Sequence, residues 1–216
     1  MGSSVRSVPC SRRPRSRSPR RPHLRLAALA DKLVSVLGSF AAHGGAAGVY
    51  AATVCPVSWN ESAVFQHVWG RGERGADPKA AVPLSLELLH DDYAYEFQIE
   101  WSLWELDLTG AVPRWVREPR LVRVTGYGPL FDEGAYESEG HIKVDFGTDA
   151  PFLEEEADLS PASAAKIEEN VRQLIALVQA VEKNSGATAR LLWSELGESL
   201  ASRLAARLAK LAGTGN

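Results

Sequence analysis

Cysteine is nearly absent from this chain, with Cys10 and Cys55 the only two in 216 residues. Two isolated thiols make neither a disulfide framework nor a zinc-ligand pattern, so a reducing compartment is the expectation. Cys55 then reads as a small buried apolar residue. Acid is absent from residues 1–22, which hold seven arginines. The remainder, residues 23–216, carries 17 basic against 27 acidic residues, a balance of -10. Such an acidic body excludes general nucleic-acid binding, because neutralising phosphates needs basic surface.

Charge of either sign is missing from Leu33 to Asn60. A run of that length suggests a membrane span, but His43 and the glycines Gly38, Gly44, Gly45 and Gly48 interrupt it. A secretory signal is opposed by Asp31 and Lys32, which cut what would be its apolar region. The expectation is a cytoplasmic protein with no membrane association. The alternative is an envelope-associated protein, exported through a twin-arginine-like signal at Arg20–Arg21 or tethered through residues 20–52.

Also missing is any motif that names a reaction. Gly70-Arg71-Gly72-Glu73-Arg74-Gly75 has the letters of a dinucleotide fingerprint, which needs a strand before the glycines and a helix after them to hold a pyrophosphate. Here a helical pattern precedes and prolines follow, so the run reads as a surface loop. No cofactor and no metal site is expected.

What is present is an ordinary globular composition, 45% hydrophobic and 24% charged, enough to build a core. Residues 1–22 are an Arg/Ser/Pro-rich tail with too little apolar surface to fold, a non-structural leader or a basic arm for anionic partners. Residues 23–46 read as an amphipathic helix and a Gly/Ala-rich linker, themselves a candidate leader. Residues 47–212 form a single α+β domain. Its organising element is Tyr93–Leu108, where Tyr93, Tyr95, Phe97, Ile99, Trp101 and Leu103 alternate strictly with polar residues, the period of a strand with one buried face. The apolar phase then flips to Trp104, Leu106 and Leu108, which predicts a bulge or sharp twist near Leu103. Trp115–Tyr127 returns as the antiparallel partner, and His141–Phe146 is the last strand.

Val49–Val54 and Leu84–Leu88 supply two more strands, and Ser58 with Glu61 reads as the capping box of a short helix ending at Gly70. The Ser160-Pro161 pair starts a long helix. A final helix carries a leucine stripe from Leu192 to Leu211. The fold class expected is α+β: an antiparallel meander of about five strands, packed on one face by a C-terminal helical hairpin.

The outward face of that sheet gathers Glu96 and Glu100 from the long strand, Arg123 and Tyr127 from its partner, and His141 and Asp145 from the last strand. A histidine among carboxylates can bind a metal or run acid–base chemistry. A half-wet antiparallel sheet carries the same alternation, with opposite charges paired across strands, and that reading is preferred. Trp101 and Trp104 fall on opposite faces unless a bulge re-aims one, and an exposed tryptophan marks a binding surface. The function expected is a non-enzymatic binding module presenting an acidic, aromatic-containing sheet face or cleft to a protein partner or small-molecule ligand. Its candidate residues are Glu96, Glu100, Trp101, Trp104, Arg123, Tyr127, His141 and Asp145. The alternative is a metal-dependent or acid–base hydrolase-like enzyme using His141, Asp145, Glu96 and Glu100.

Overall fold

A computed structural model describes residues 26–45, 48–69, 75–87, 89–154, 160–187, 192 and 199–213. The protein is an α+β domain built on one five-stranded antiparallel sheet. Its strands are β1 (Ala51–Pro56), β2 (Phe65–Val68), β3 (Tyr93–Asp107), β4 (Arg114–Tyr127) and β5 (Ile142–Asp145), in the order β2-β1-β3-β4-β5. β3 and β4 form the long central hairpin, paired without interruption from Ala94 with Tyr127 to Asp107 with Arg114. At its tip, the Asp107 carboxylate accepts from the Thr109 hydroxyl at 2.6 Å, the Thr109 amide at 3.0 Å and Arg114 at 2.9 Å. These bonds, Thr109's first, hold the carboxyl at about 2. The turn's contribution to stability is therefore present above the ordinary carboxylate range and lost as pH falls toward 2. A carboxyl-carbon NMR titration should place the Asp107 midpoint near 2, and Thr109→Ala should move it upward.

The inner face carries Tyr95, Phe97, Ile99, Trp101 and Leu103 of β3 with Val122 and Val124 of β4, all buried. Helices α1 (Leu26–Ala41) and α5 (Pro161–Ser185) lie side by side over it. The helical spacing of Leu29, Leu33, Val36, Leu37 and Phe40 makes one buried stripe, the pattern of an amphipathic helix facing a core. Segment 26–41 thus belongs to the folded unit. It rests on β4 at Gly126, where a Cβ would come within 2.8 Å of Leu33. α5 starts as its sequence dictates: Ser160 caps by accepting from the Ser163 amide, Pro161 follows, and Gly186 ends it in the left-handed region. Ile167, Val171 and Leu174 are buried, with Val178 and Val181 packed beside them. The C-terminal helix α6 (Leu200–Gly213) adds Leu200 and Leu204 to the core. Asp149, before the short helix α4 (Ala150–Leu153), pairs with its Arg203 at 2.6 Å. Most of the segment between α5 and α6 lies outside the described residues, as do residues 1–25 and 155–159.

Two elements exchange the types expected of them. Leu84–Glu87 is not a strand, and Leu88 lies outside the described residues: helix α2 spans Pro78–Leu86, with Asp77 accepting from the Lys79 amide as its cap and Pro78 in its first turn. Its buried face is Pro78, Ala81, Val82 and Ser85, a helical spacing in small residues that the louder alternation of leucines hid. The segment after Ser58 is not a helix: it turns, and Phe65–Val68 returns as the edge strand β2 against β1. Nor is there a bulge near Leu103. α5 crosses the free edge of β3 at Trp104, so Trp104 and Trp115, which by register belong to the outer face, meet Glu169 and Ser163 of α5. The apolar phase flips because the covered face changes, while the pairing runs on.

Of the fingerprint-like glycine run, residues 70–74 lie outside the described residues. Gly75 sits against Gly48 and Val49, where a Cβ on Gly75 would come within 2.6 Å of the Val49 carbonyl oxygen. Close backbone approach explains that glycine without any nucleotide. Among the described residues no helix is long and apolar enough to cross a membrane.

Candidate functional site

The strand register sets what the eight sequence-derived residues can do together. Glu96 and Glu100 point outward from β3, and Arg123 and Asp145 from β4 and β5, where they pair at 3.1 Å. Lys143, between Asp145 and His141, pairs with Glu139 at 2.8 Å, and Glu96 accepts from Gln98 at 3.2 Å. β3 and β5 are separated by β4, so their side chains stand about 10 Å apart, two strand spacings. His141 lies a further four residues along from Asp145, roughly 13 Å at the rise of a strand. It packs on Tyr136 with ring centroids 5.1 Å apart. The sheet therefore brings Arg123 and Asp145 together but does not bring His141, Asp145, Glu96 and Glu100 to one point. Among the described residues no group of three His, Cys, Asp or Glu side chains is placed to hold a metal ion.

Both tryptophans of β3 are accounted for by packing. Trp101 is fully buried, boxed by Phe40, Phe146 and Phe152, with its indole N–H donated to the His43 carbonyl at 2.7 Å. It presents nothing to a ligand. Trp104 is half-buried under α5, with Lys166 over its ring at 3.4 Å and its N–H donated to Glu169 at 2.8 Å. Beside it, a cleft of about 360 Å³ is lined by His43, Gly44, Arg117, Glu169, Arg172 and Gln173. Its charges are paired: Arg117 with Glu169 at 2.9 Å within the cleft, and Arg172 with Glu168 outside it at 2.7 Å.

The outer face is open only in part. At the end where β3 begins, a 3-10 turn (Phe131–Glu133) and helix α3 (Tyr136–Glu139) fold over it, making a second apolar cluster of Ala94, Tyr127, Phe131 and Tyr136. Tyr127 lies in that cluster, and its phenol is pushed up to about 12, first by burial and then by Glu139, Glu96, Asp145 and Asp132. Burial, with Glu96, likewise raises the Cys55 thiol, which makes it a poor nucleophile.

Above this cluster lies a corner that sequence reasoning missed. Trp59 stands edge-on to Phe131, centroids 5.0 Å apart, and to Tyr127 at 6.3 Å, yet keeps 45% of its surface exposed. Val57 and Leu130, on the segments that flank it, are 54% and 64% exposed. The corner is tied by backbone bonds from Val57 to Asp92, Leu130 to Asp91 and Asp132 to Val57, each 2.7 Å. Those bonds hold Val57 at φ 57°, Asp132 at 46° and Glu133 at 57°, a region costly for side-chain-bearing residues and most of all for a β-branched one. The three segments that build it, 56–64, 87–92 and 128–140, contain eight acidic residues and no Lys or Arg. That imbalance was countable in the sequence, but only the fold shows that the three segments meet. Chemically the corner offers an aromatic face and apolar side chains inside an anionic field, with no group poised as a nucleophile.

No family model, curated protein or solved structure matches this chain.

Proposed function

We propose that this protein is a non-enzymatic binding module that takes an arginine-bearing segment of a protein partner at the Trp59 corner. The observation that carries the reading is the half-exposed Trp59, flanked by exposed Val57 and Leu130 and surrounded by segments bearing acid and no base. Arginine is the side chain that suits both features. Its planar guanidinium stacks on an indole face and pairs bidentately with carboxylates, whereas lysine offers a compact, strongly hydrated charge. Tryptophan anchors of this kind dominate binding energy, with the charges around them giving orientation and association rate. The thiol of Cys55, free in the fold, is in keeping with a cytoplasmic, reducing setting.

A fluorescein-labelled peptide of alternating arginine and serine, titrated by anisotropy against the full chain, tests the reading. Trp59→Ala should weaken binding at least about tenfold, the scale of an aromatic hot spot. Asp132→Asn with Glu133→Gln should weaken it and flatten its salt dependence, because fewer counterions are exchanged. Glu168→Gln, an exposed acid on α5, should leave it unchanged. Equal affinities for the wild type and the Trp59 and Asp132/Glu133 variants would sink the proposal.

A further inference from the structure

We infer that the Trp59 corner is occupied in the free protein by the chain's own residues 11–22, so that a partner must displace them. This deepens the binding reading above and rests on it. Segment 11–22 reads SRRPRSRSPRRP, six arginines and three prolines with no acid. It is therefore the chemistry the corner suits, and it stands in a chain whose remaining residues are net acidic. Position supports the match. α1 begins at Leu26, and Leu29 and Leu33 rest on Gly126. That is the end of the sheet where β3 starts and β4 finishes, and the same end holds Asp91, Asp92 and Leu130. The corner and the origin of the segment thus share one end of the molecule, on opposite sides of a sheet.

Reach allows the connection. The corner lies two layer spacings from α1, roughly 20 Å across the sheet, and the nine residue steps from Arg17 to Leu26 span up to about 30 Å when extended. Proline suits the role, since an extended proline-rich segment needs no ladder hydrogen bonds and loses little entropy on docking. Individually weak, solvent-exposed ion pairs suffice, because a short tether holds the segment at an effective concentration in the millimolar range. The six guanidiniums would share Trp59 and the surrounding carboxylates. Occupancy would fall as salt rises, by screening.

The test compares the full chain with a full-length variant in which Arg12, Arg13, Arg15, Arg17, Arg20 and Arg21 are all changed to Ser. Two signals are read: affinity for the same labelled arginine–serine peptide, and the indole N–H resonance of Trp59, assigned with Trp59→Phe. The expected result at low salt is that the variant binds the peptide about tenfold more tightly than the wild type. The Trp59 resonance should differ between the two proteins without peptide, by an amount independent of protein concentration. If both proteins bind the peptide equally and the resonance does not move, the self-occupancy is overturned while the binding reading stands. If the resonance difference grows with protein concentration, the segment comes from a second copy and the intramolecular inference fails. If neither protein binds the peptide, the binding reading itself fails, and this inference with it.

Discussion

Replacing Trp101 with Ala should lower the unfolding free energy by about 4 kcal/mol, in the range found for emptying a large aromatic site in a packed core. Trp101 is a point where distant parts of the chain meet. Its ring touches Phe40 of α1, Phe146 just after β5 and Phe152 of α4, and its N–H reaches the carbonyl of His43. Phe40, Phe152 and Trp101 are fully buried, and only the Phe146 wall is partly exposed, so the cavity has little room to collapse from the solvent side. Trp101→Phe keeps most of the volume and removes the hydrogen bond, leaving the His43 carbonyl unpaired, and should cost about 1–2 kcal/mol. Trp104→Ala provides the contrast, because that indole is half-buried under α5 and should cost clearly less than Trp101→Ala. Urea denaturation of the three variants measures all of this. A Trp101→Ala loss below about 1 kcal/mol would contradict the packing described, given what aromatic truncations cost in cores.

How far the fold was legible depended on segment length and on which residues carried the pattern. The β3–β4 hairpin announced itself because β3 alternates strictly from Tyr93 to Leu103, and that local alternation agrees with its long-range pairing to β4. α5 was legible at both ends because Ser160, Pro161 and Gly186 are the residues that a helix start and stop require. Four-residue β2 had too few positions to show a period, and Phe65 alone of its side chains is not exposed. α2 was misread because its buried face is made of Pro78, Ala81, Val82 and Ser85, whose weak hydrophobicity was outvoted by Leu84, which in fact faces solvent. α1 carried its core stripe openly, yet the charge-free, Gly/Ala-rich run after it invited a leader. The outward sheet face followed from alternation alone. The Trp59 corner did not, because it is assembled from turns more than seventy residues apart, and no local pattern links Trp59 to Phe131.

Among the polar side chains that hold α5, the fully buried Asn170 carries most of its placement. It sits in the middle of that helix, where an asparagine is a poor helix former and a costly thing to bury unpaired. It is paired at every useful atom. Its side-chain carbonyl accepts from the Trp104 amide at 2.9 Å, and its side-chain amide donates to the carbonyls of Trp104 and Pro151, each at 2.7 Å. β1 pairs with β3 only as far as Gln98, and Gly44 and Gly45 cover the edge at Trp101 and Ser102. At Trp104 the Asn170 amide stands in for the missing strand. Apolar packing alone would let α5 slide along the sheet; this bracket fixes its register. Asn170→Ala should cost about 3 kcal/mol, since buried polar groups lose their partners together. Asn170→Asp keeps the shape and the bond from the Trp104 amide, but turns a donor into an oxygen facing two carbonyl oxygens. That acid would be neutral in the fold to a pH above its unfolded value, so its penalty relative to the wild type should be small near pH 4 and grow as pH rises toward 7. The penalty of Asn170→Ala should stay flat over the same range. An Asn170→Asp protein as stable as the wild type at pH 7 would show that the bracket does not hold the helix.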